Sequence, residues 1–273
     1  MTTDNSPDLW RDALPRPRPD GSKYDRGHAL IVGGPIQSTG AARLAARACL
    51  RIGAGLVSVV CDETALPVYA TALEAIMTKV ARDAAAFSHL LEDKRITAVL
   101  IGPGAGLSPR TCDFAMAALA SGPCVLDADA LTVFKKVPAA LFRATSATTL
   151  LTPHEGEFTR LFGPVSDRVS DTQKAARASG AVVLLKGKDT VIAAPDGRTV
   201  INRDAPPQLA TAGTGDVLAG MATGLMAQGM ATFDAACAAA WLHAEAARRF
   251  GIGLIAEDLE TQLPGILSAF RSE

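Results

Sequence analysis

Residues 28–61 read HALIVGGPIQSTGAARLAARACLRIGAGLVSVVC, a strand, a helix and a second strand in succession. His28-Ala-Leu-Ile-Val-Gly-Gly34 is a short, continuous apolar run that ends in glycines, the pattern of a strand buried on both faces. From about Gly40 the spacing changes: Ala41, Leu44, Ala45, Ala48 and Ile52 fall on one helical stripe. Gly53 and Gly55 end that helix, and 56–61 is apolar again. The unit recurs along the chain. Segment 97–101 runs into Gly102-Pro-Gly-Ala-Gly106, 123–126 into Asp127-Ala-Asp129, and 148–151 into Thr152-Pro-His154, each followed by a helical pattern. Segment 181–185 leads to Lys186-Gly-Lys-Asp-Thr190, and 190–194 and 198–201 flank Pro195-Asp-Gly197 as a hairpin. The remainder is helical from Gly215, with alanine-rich stripes over 235–250 and a helix over 255–263 that stops before Pro264.

Alternating strands and helices, with strands that do not alternate in polarity, specify an α/β fold with a mostly parallel central sheet covered on both faces. In such folds ligands bind at the carboxyl ends of the strands. The glycine loops, Asp127, Asp129, His154 and Glu157 all fall at those ends and are expected to line one rim.

The 273 residues are read as a Pro/Arg-rich arm over 1–22 and a single domain over 23–273. Arg11, Arg16, Arg18, Lys23 and Arg26, interleaved with Pro15, Pro17 and Pro19, describe a solvated, partly extended segment. A net charge of −1 with both signs spread along the chain gives no cause to expect nucleic acid or a membrane surface as partner. The five cysteines form no C-x-x-C pair, and four sit in apolar stretches as core residues of a reducing compartment. A polar amino terminus points to the cytoplasm, and the uncharged stretch 217–233, broken at Gln228-Gly229, to two buried helices rather than a membrane span.

The chemistry concentrates in Ala210-Thr-Ala-Gly-Thr-Gly-Asp216-Val-Leu-Ala-Gly220. Gly213, Thr214 and Gly215 form a permissive turn whose backbone N–H groups can gather round an anion, aided by the positive end of the helix that begins there. Asp216 then stands beside the anion as a proton acceptor, an arrangement suited to phosphoryl transfer. Taken alone, the same residues also describe an ordinary helix start. Lys186-Gly-Lys-Asp-Thr190 offers ammonium groups and a hydroxyl to a nucleotide's phosphates and ribose, or forms a solvated turn. His154 at a strand end is a ligand contact or a structural histidine, and Glu157 either favours a helix start or holds a hydrated Mg²⁺. Asp127 and Asp129 read as helix caps or as polar contacts to substrate or hydrated metal, with the cap preferred for Asp129. Neither a P-loop nor a dinucleotide G-x-G-x-x-G follows the first strand.

Together, Gly-Thr-Gly-Asp216, Lys-Gly-x-x-Thr190, Thr-Pro-His-Glu-Gly-Glu157, Asp-Ala-Asp129 and Gly-Pro-Gly-x-Gly106 resemble the ADP-dependent NAD(P)H-hydrate dehydratases of the ribokinase-like superfamily. The resemblance extends from Lys23-Tyr-Asp-Arg-Gly-His28 to Ile255-Ala-Glu-Asp-Leu259. It implies a three-layer α/β/α sandwich and the ADP-dependent dehydration of the S epimers of hydrated NADH and NADPH (NADHX and NADPHX), with release of AMP and phosphate. By matched motif, Ala41, Gly104, Gly106, His154 and Asp216 would meet the hydrated dinucleotide. Lys186, Gly187, Lys188, Asp189, Thr190 and Gly215 would meet ADP. The resemblance further implies Mg²⁺, a homotetramer, and a separate NAD(P)H-hydrate epimerase as functional partner. Two departures stand out: Ser22-Lys-Tyr-Asp-Arg-Gly-His28 where many members carry His-Lys-Gly, and His243-Ala244 where many read His-Gly. Both put local substrate contacts in doubt. The rival expectation is a superfamily kinase acting on a hydroxyalkyl group of a small heterocycle. A non-catalytic nucleotide-binding regulator is a third.

Overall fold

The computed structural model describes residues 2–270; residue 1 and residues 271–273, which close the expected spans 1–22 and 23–273, lie outside the described residues. Ten strands are β1 (Thr3–Asp4), β2 (His28–Val32), β3 (Leu56–Cys61), β4 (Met77–Val80), β5 (Ile96–Ile101), β6 (Cys124–Leu126), β7 (Thr149–Leu151), β8 (Val182–Leu185), β9 (Thr190–Ala193) and β10 (Thr199–Asn202). Helices are α1 (Thr39–Arg51), α2 (Leu66–Ala72), α3 (Ala84–Leu91), α4 (Pro109–Ser121), α5 (Asp129–Thr132), α6 (Pro138–Ala144), α7 (Glu155–Phe162), α8 (Arg168–Ser179), α9 (Thr214–Ala227), α10 (Thr232–Phe250) and α11 (Ala256–Ala269).

All strands belong to one sheet in the order β1-β10-β9-β8-β7-β6-β5-β2-β3-β4. From β8 through β4 neighbouring strands run parallel, whereas β9 is antiparallel to both β8 and β10. Successive side chains of a strand point to opposite faces, so each buried strand feeds two cores. In β2, Ala29 and Ile31 pack under α1, α9, α10 and α11, while Leu30 and Val32 join Phe87, Phe114, Leu131, Leu141 and Phe158 from α3–α7 on the other side. This is the three-layer sandwich that the sequence pattern requires.

Helix α9 carries almost no polar side chain and is buried along nearly its whole length. It sits unusually close to α1. A Cβ on Gly220 would lie 2.1 Å from the Ala45 carbonyl oxygen, and one on Gly224 would lie 2.6 Å from that of Cys49. The uncharged stretch 217–233 is thus two helices, α9 and the start of α10, as expected. No helix among the described residues is long and apolar enough to cross a membrane.

Three features differ from expectation. Residues 3–10 are docked: β1 adds to the sheet edge beside β10, and Trp10, 1% exposed, packs its ring 5.8 Å from Trp241 and 5.6 Å from Phe270. Asn5 fixes this segment through bonds to Asn202 Oδ1 and the Cys237 carbonyl at 2.9 and 2.8 Å. The solvated description holds for the basic residues that follow. Second, Met77–Val80 forms β4 although its sequence shows no apolar run, because it lies at the sheet edge, half-buried. Third, α11 continues through Pro264 to Ala269 instead of stopping before it, its burial of Leu259, Leu263 and Ile266 against the first core outweighing one lost hydrogen bond. Cys49, Cys61, Cys124 and Cys237 are buried, as read from their apolar neighbours.

Gly220→Ala tests the α1–α9 contact. Helix propensity alone favours alanine by about 1 kcal/mol. Strain against a backbone oxygen that cannot rotate away costs about 1–3 kcal/mol. A net fall in Tm is expected by circular dichroism; an unchanged or raised Tm would show that the helices can move apart freely.

Candidate active site

Gly213 is the N-cap of α9 and adopts φ +89°, a conformation that favours glycine, with its Cβ direction blocked by Leu44 Cδ1 at 2.7 Å and Ala256 Cβ at 2.9 Å. The hydroxyl of Thr214 donates to the carbonyls of Leu209 and Thr211 at 2.7 and 3.1 Å. On the far side, His243 Nε2 donates to the Thr214 carbonyl at 2.9 Å. Burial drives the His243 pKa down to about 4, so the ring is neutral and serves as a strut. The turn is therefore locked with the first N–H groups of α9 exposed toward the rim. Gly215 leaves room for the Lys186 ammonium, whose Nζ would stand 3.5 Å from a Cβ there.

Asp216 lies in the first turn of α9. Burial raises its pKa to about 6, the Asp127 and Asp129 carboxylates push in the same direction, and Lys186 opposes them. The group is a stronger base than an exposed aspartate, yet ionised at neutral pH. Lys186 donates to Asp127 Oδ1 at 2.7 Å, and Asp127 is 1% exposed. Burial lowers the Lys186 pKa, but the attraction of Asp127, with Glu157 and Asp216 beyond it, more than restores it above its ordinary value. The ammonium stays charged beside the glycine turn.

On one side of Asp216 the rim is built from the β2–α1 and β5–α4 loops. Ser38 donates to the Gly104 carbonyl at 2.8 Å, and a Cβ on Gly104, where φ is +64°, would lie 3.2 Å from Ala41 Cβ. The Gly106 N–H donates to Asp129 Oδ2 at 2.8 Å. Asp129 thus ties a neighbouring loop rather than capping α5, whose N-cap Ala128 has no side-chain cap and sits at φ +48°. That left-handed conformation costs an alanine about 1–2 kcal/mol, and it turns Asp127 and Asp129 to separate tasks. His154 caps α7: its Nδ1 accepts from the Gly156 N–H at 2.9 Å, and its backbone N–H donates to Glu157 Oε2 at 2.9 Å. With Nδ1 an acceptor, the ring N–H is that of Nε2, which faces Glu157 Oε1 at 3.4 Å.

On the other side lies a cleft of about 560 Å³ lined by Lys186, Gly187, Lys188, Thr190, Thr214 and Gly215, and walled by Pro206, Pro207, Leu209, Leu218 and Ala240. Thr190 closes the Lys-Gly-Lys-Asp-Thr turn by donating to the Gly187 carbonyl at 3.1 Å. Asp189 does not line this cleft; its Oδ1 accepts from the Asp204 N–H at 3.1 Å. The apolar wall was missed in the sequence, because proline, leucine and alanine carry no chemical signature until they face a common space.

Three carboxylates near the turn already have an oxygen engaged: Asp127 with Lys186, Asp129 with Gly106, Glu157 with His154. Among the described residues no group of three His, Cys, Asp or Glu could hold a metal directly. Carboxylates so engaged fit a metal only through water, as a hydrated Mg²⁺ carried on phosphates would allow. The two sequence departures also find places. Ser22–His28 lies at the amino end of β2, opposite the rim, with His28 Nε2 bonded to Ser58 Oγ at 2.8 Å. His243 and Ala244 line the 560 Å³ cleft rather than the loop groove.

Residues 29–264 match the family described as NAD(P)H-hydrate dehydratase. The chain is 40% identical over 284 residues to a bifunctional NAD(P)H-hydrate repair enzyme from Salinibacter ruber, covering 97% of this chain but 52% of that protein. Thus it spans about half the length of such bifunctional relatives. It is 34% identical over 272 residues to the ADP-dependent (S)-NAD(P)H-hydrate dehydratase of Xanthomonas campestris, covering 93% of each. The crystal structure of the Bacillus subtilis ADP/ATP-dependent NAD(P)H-hydrate dehydratase, co-crystallised with ATP and Mg²⁺, superposes with a TM-score of 0.83 and 26% identity over 98% of both chains.

The half-buried Asp216 carboxylate predicts a pH-dependent stability. Its pKa rises from 3.8 to about 6 on folding, so the folded state holds a proton that the unfolded chain releases across that window. Wild-type stability from this group therefore falls as pH rises from 3.8 to about 6 and levels off above. Asp216→Asn does not titrate, and its Tm should gain on the wild type over the same window. A Tm difference constant across the window would rule out the desolvated carboxylate.

Proposed function

The chain belongs to the NAD(P)H-hydrate dehydratase family, and we propose that it performs the ADP-dependent dehydration of the S epimers of NADHX and NADPHX, yielding NADH or NADPH, AMP and phosphate. The observation that carries this reading is Asp216: a half-buried carboxylate with a pKa near 6, standing on a glycine turn beside a nucleotide-sized cleft on one side and the β2–α1 and β5–α4 loops on the other.

In this reading ADP occupies the cleft, its base against the Pro206, Pro207 and Leu218 wall and its phosphates against Lys186 and the N–H groups of the turn. The hydrated dinucleotide lies along Ala41, Gly104, Gly106 and His154 with its ring at Asp216. Asp216 accepts the proton of the C6 hydroxyl as that oxygen attacks the β-phosphorus and the bond to AMP breaks. Lys186 and the amides of Gly213 to Gly215 hold the charge that develops on the transferred group. The C6–O bond then breaks toward phosphate, driven by the ring nitrogen's electron pair, and loss of a C5 proton restores the dihydropyridine. Hydroxide is a poor leaving group and phosphate a good one, which is the chemical reason a nucleotide is spent. Mg²⁺, held through water by Glu157, supplies charge neutralisation to the phosphates when bound. A homotetramer and a cytoplasmic setting belong to the same reading. So does a separate epimerase, supported by the bifunctional relatives.

Purified protein mixed with NADHX, Mg²⁺ and ADP should restore reduced-nicotinamide absorbance with matching AMP release. Folded protein that restores none with ADP or ATP would move the assignment to a kinase of small heterocyclic alcohols. Asp216→Asn should lower turnover about 10²–10⁴-fold while ADP still binds. Wild-type turnover should fall as pH drops through about 6, where Asp216 takes up its proton. Lys186→Gln keeps a donor for Asp127 but removes the charge facing the phosphates. The ADP dissociation constant should rise about tenfold or more, as for loss of a charge-assisted contact; an unchanged value would make Lys186 purely structural.

A further inference from the structure

Among the described residues, the buried side-chain nitrogens without a hydrogen-bond acceptor are the Nε atoms of Arg43, Arg110 and Arg168. Arg168 is otherwise well engaged, donating to Glu155 Oε2 and to the Lys186 carbonyl, both at 2.9 Å. Arg110 has one contact from Nη2 to the Ala81 carbonyl at 3.3 Å and lies 4.3 Å over the Phe114 ring. Arg43 donates to no acceptor among the described residues. The Arg43 and Arg110 side chains are half-buried, with Nε withdrawn from water and unpaired, and a guanidinium's fork of donors matches the geometry of a phosphate.

The two side chains come from the helices that flank the loop groove, Arg43 two residues after Ala41 and Arg110 four after Gly106. Both lie within charge-interaction range of Tyr69. The Tyr69 hydroxyl donates to the Gly34 carbonyl at 3.3 Å, and a Cβ on Gly34 would meet the Gly104 carbonyl at 1.7 Å. Arg43 and Arg110 therefore lie on the Tyr69 side of the loops that carry Gly34 and Gly104. The acid facing Arg110 is Asp62, whose Oδ1 already accepts from the Thr64 hydroxyl and the Ala65 N–H at 2.7 and 2.9 Å. Burial holds the Arg110 pKa below its ordinary value, and the pair keeps a net positive charge beside Asp62. From the end of β6, where Asp127 and Asp129 stand, to the end of β3 beside Asp62 is three strand spacings, about 14 Å. An extended dinucleotide with its reacting ring at Asp216 covers that distance.

We propose that Arg43 and Arg110 form a phosphate-binding subsite for the adenosine half of the hydrated dinucleotide. The proposal rests on the groove being the dinucleotide site. The phosphate engaged is either the bridging pyrophosphate, common to both substrates, or the 2′-phosphate, which NADPHX alone carries.

Equilibrium binding of the stable products NADH and NADPH, followed by their fluorescence, tests this without turnover. In Arg43→Gln and Arg110→Gln the dissociation constant should rise about tenfold, as for one lost charge-assisted contact. A rise for both dinucleotides identifies the pyrophosphate, and a rise for NADPH alone the 2′-phosphate. ADP affinity should not change. Arg43→Lys and Arg110→Lys, which keep charge and most of the volume but lose the fork, should fall between, and they stand in if a glutamine variant fails to fold. Wild-type affinity for both dinucleotides in all four variants overturns the subsite alone. Wild-type protein that binds neither dinucleotide overturns the subsite and the groove reading together.

Discussion

The close approach of α9 to α1 is the constraint on which the rest of this structure depends. At Gly220 and Gly224 the helix backbones meet with no room for a side chain between them. Because Gly213 is hemmed in by Leu44 from α1 and Ala256 from α11, the same packing fixes where α9 begins. The glycine turn and Asp216 are thus set by packed helices. A carboxylate placed in this way can be desolvated enough to reach a pKa near 6 without being lost into the core. The cost of its burial is borne by a helix whose other residues are almost all apolar and packed.

Strand order then distributes the ligands. With β8 next to β7 and β6, the turn after β8 brings Lys186 to Asp127, although the two lie 59 residues apart in sequence. With β5, β2 and β3 on the other side, the glycine loops stand away from the 560 Å³ cleft. The antiparallel pair β8–β9 is what folds the Lys-Gly-Lys-Asp-Thr segment back as one wall of that cleft. Two ligands can thus approach the Asp216 carboxylate from opposite directions along a single rim, as transfer of a group between them requires.

Much of this was legible beforehand for reasons specific to the residues. Runs such as 28–34 and 97–102 show strands because a strand buried on both faces must be apolar throughout. Gly104, Gly106 and Gly213 show their loops because left-handed turns tolerate little else. What was read poorly depends on partners remote in sequence. Asp129 resembled a cap and is instead the acceptor for Gly106; Asp189 shared a motif with Lys186 and faces elsewhere. Trp10 followed a polar start and is nonetheless buried against Trp241 and Phe270.

The sequence by itself determined the layers and the rim, because periodicity and glycine placement are local consequences of backbone geometry. Only the tertiary structure decided how charged the rim residues are and which of them meet. Burial and the Asp127 and Asp129 carboxylates raise Asp216, and Asp127 holds the Lys186 ammonium. Electrostatic energies depend on distance and desolvation in three dimensions, and neither is written in the spacing of residues along a chain.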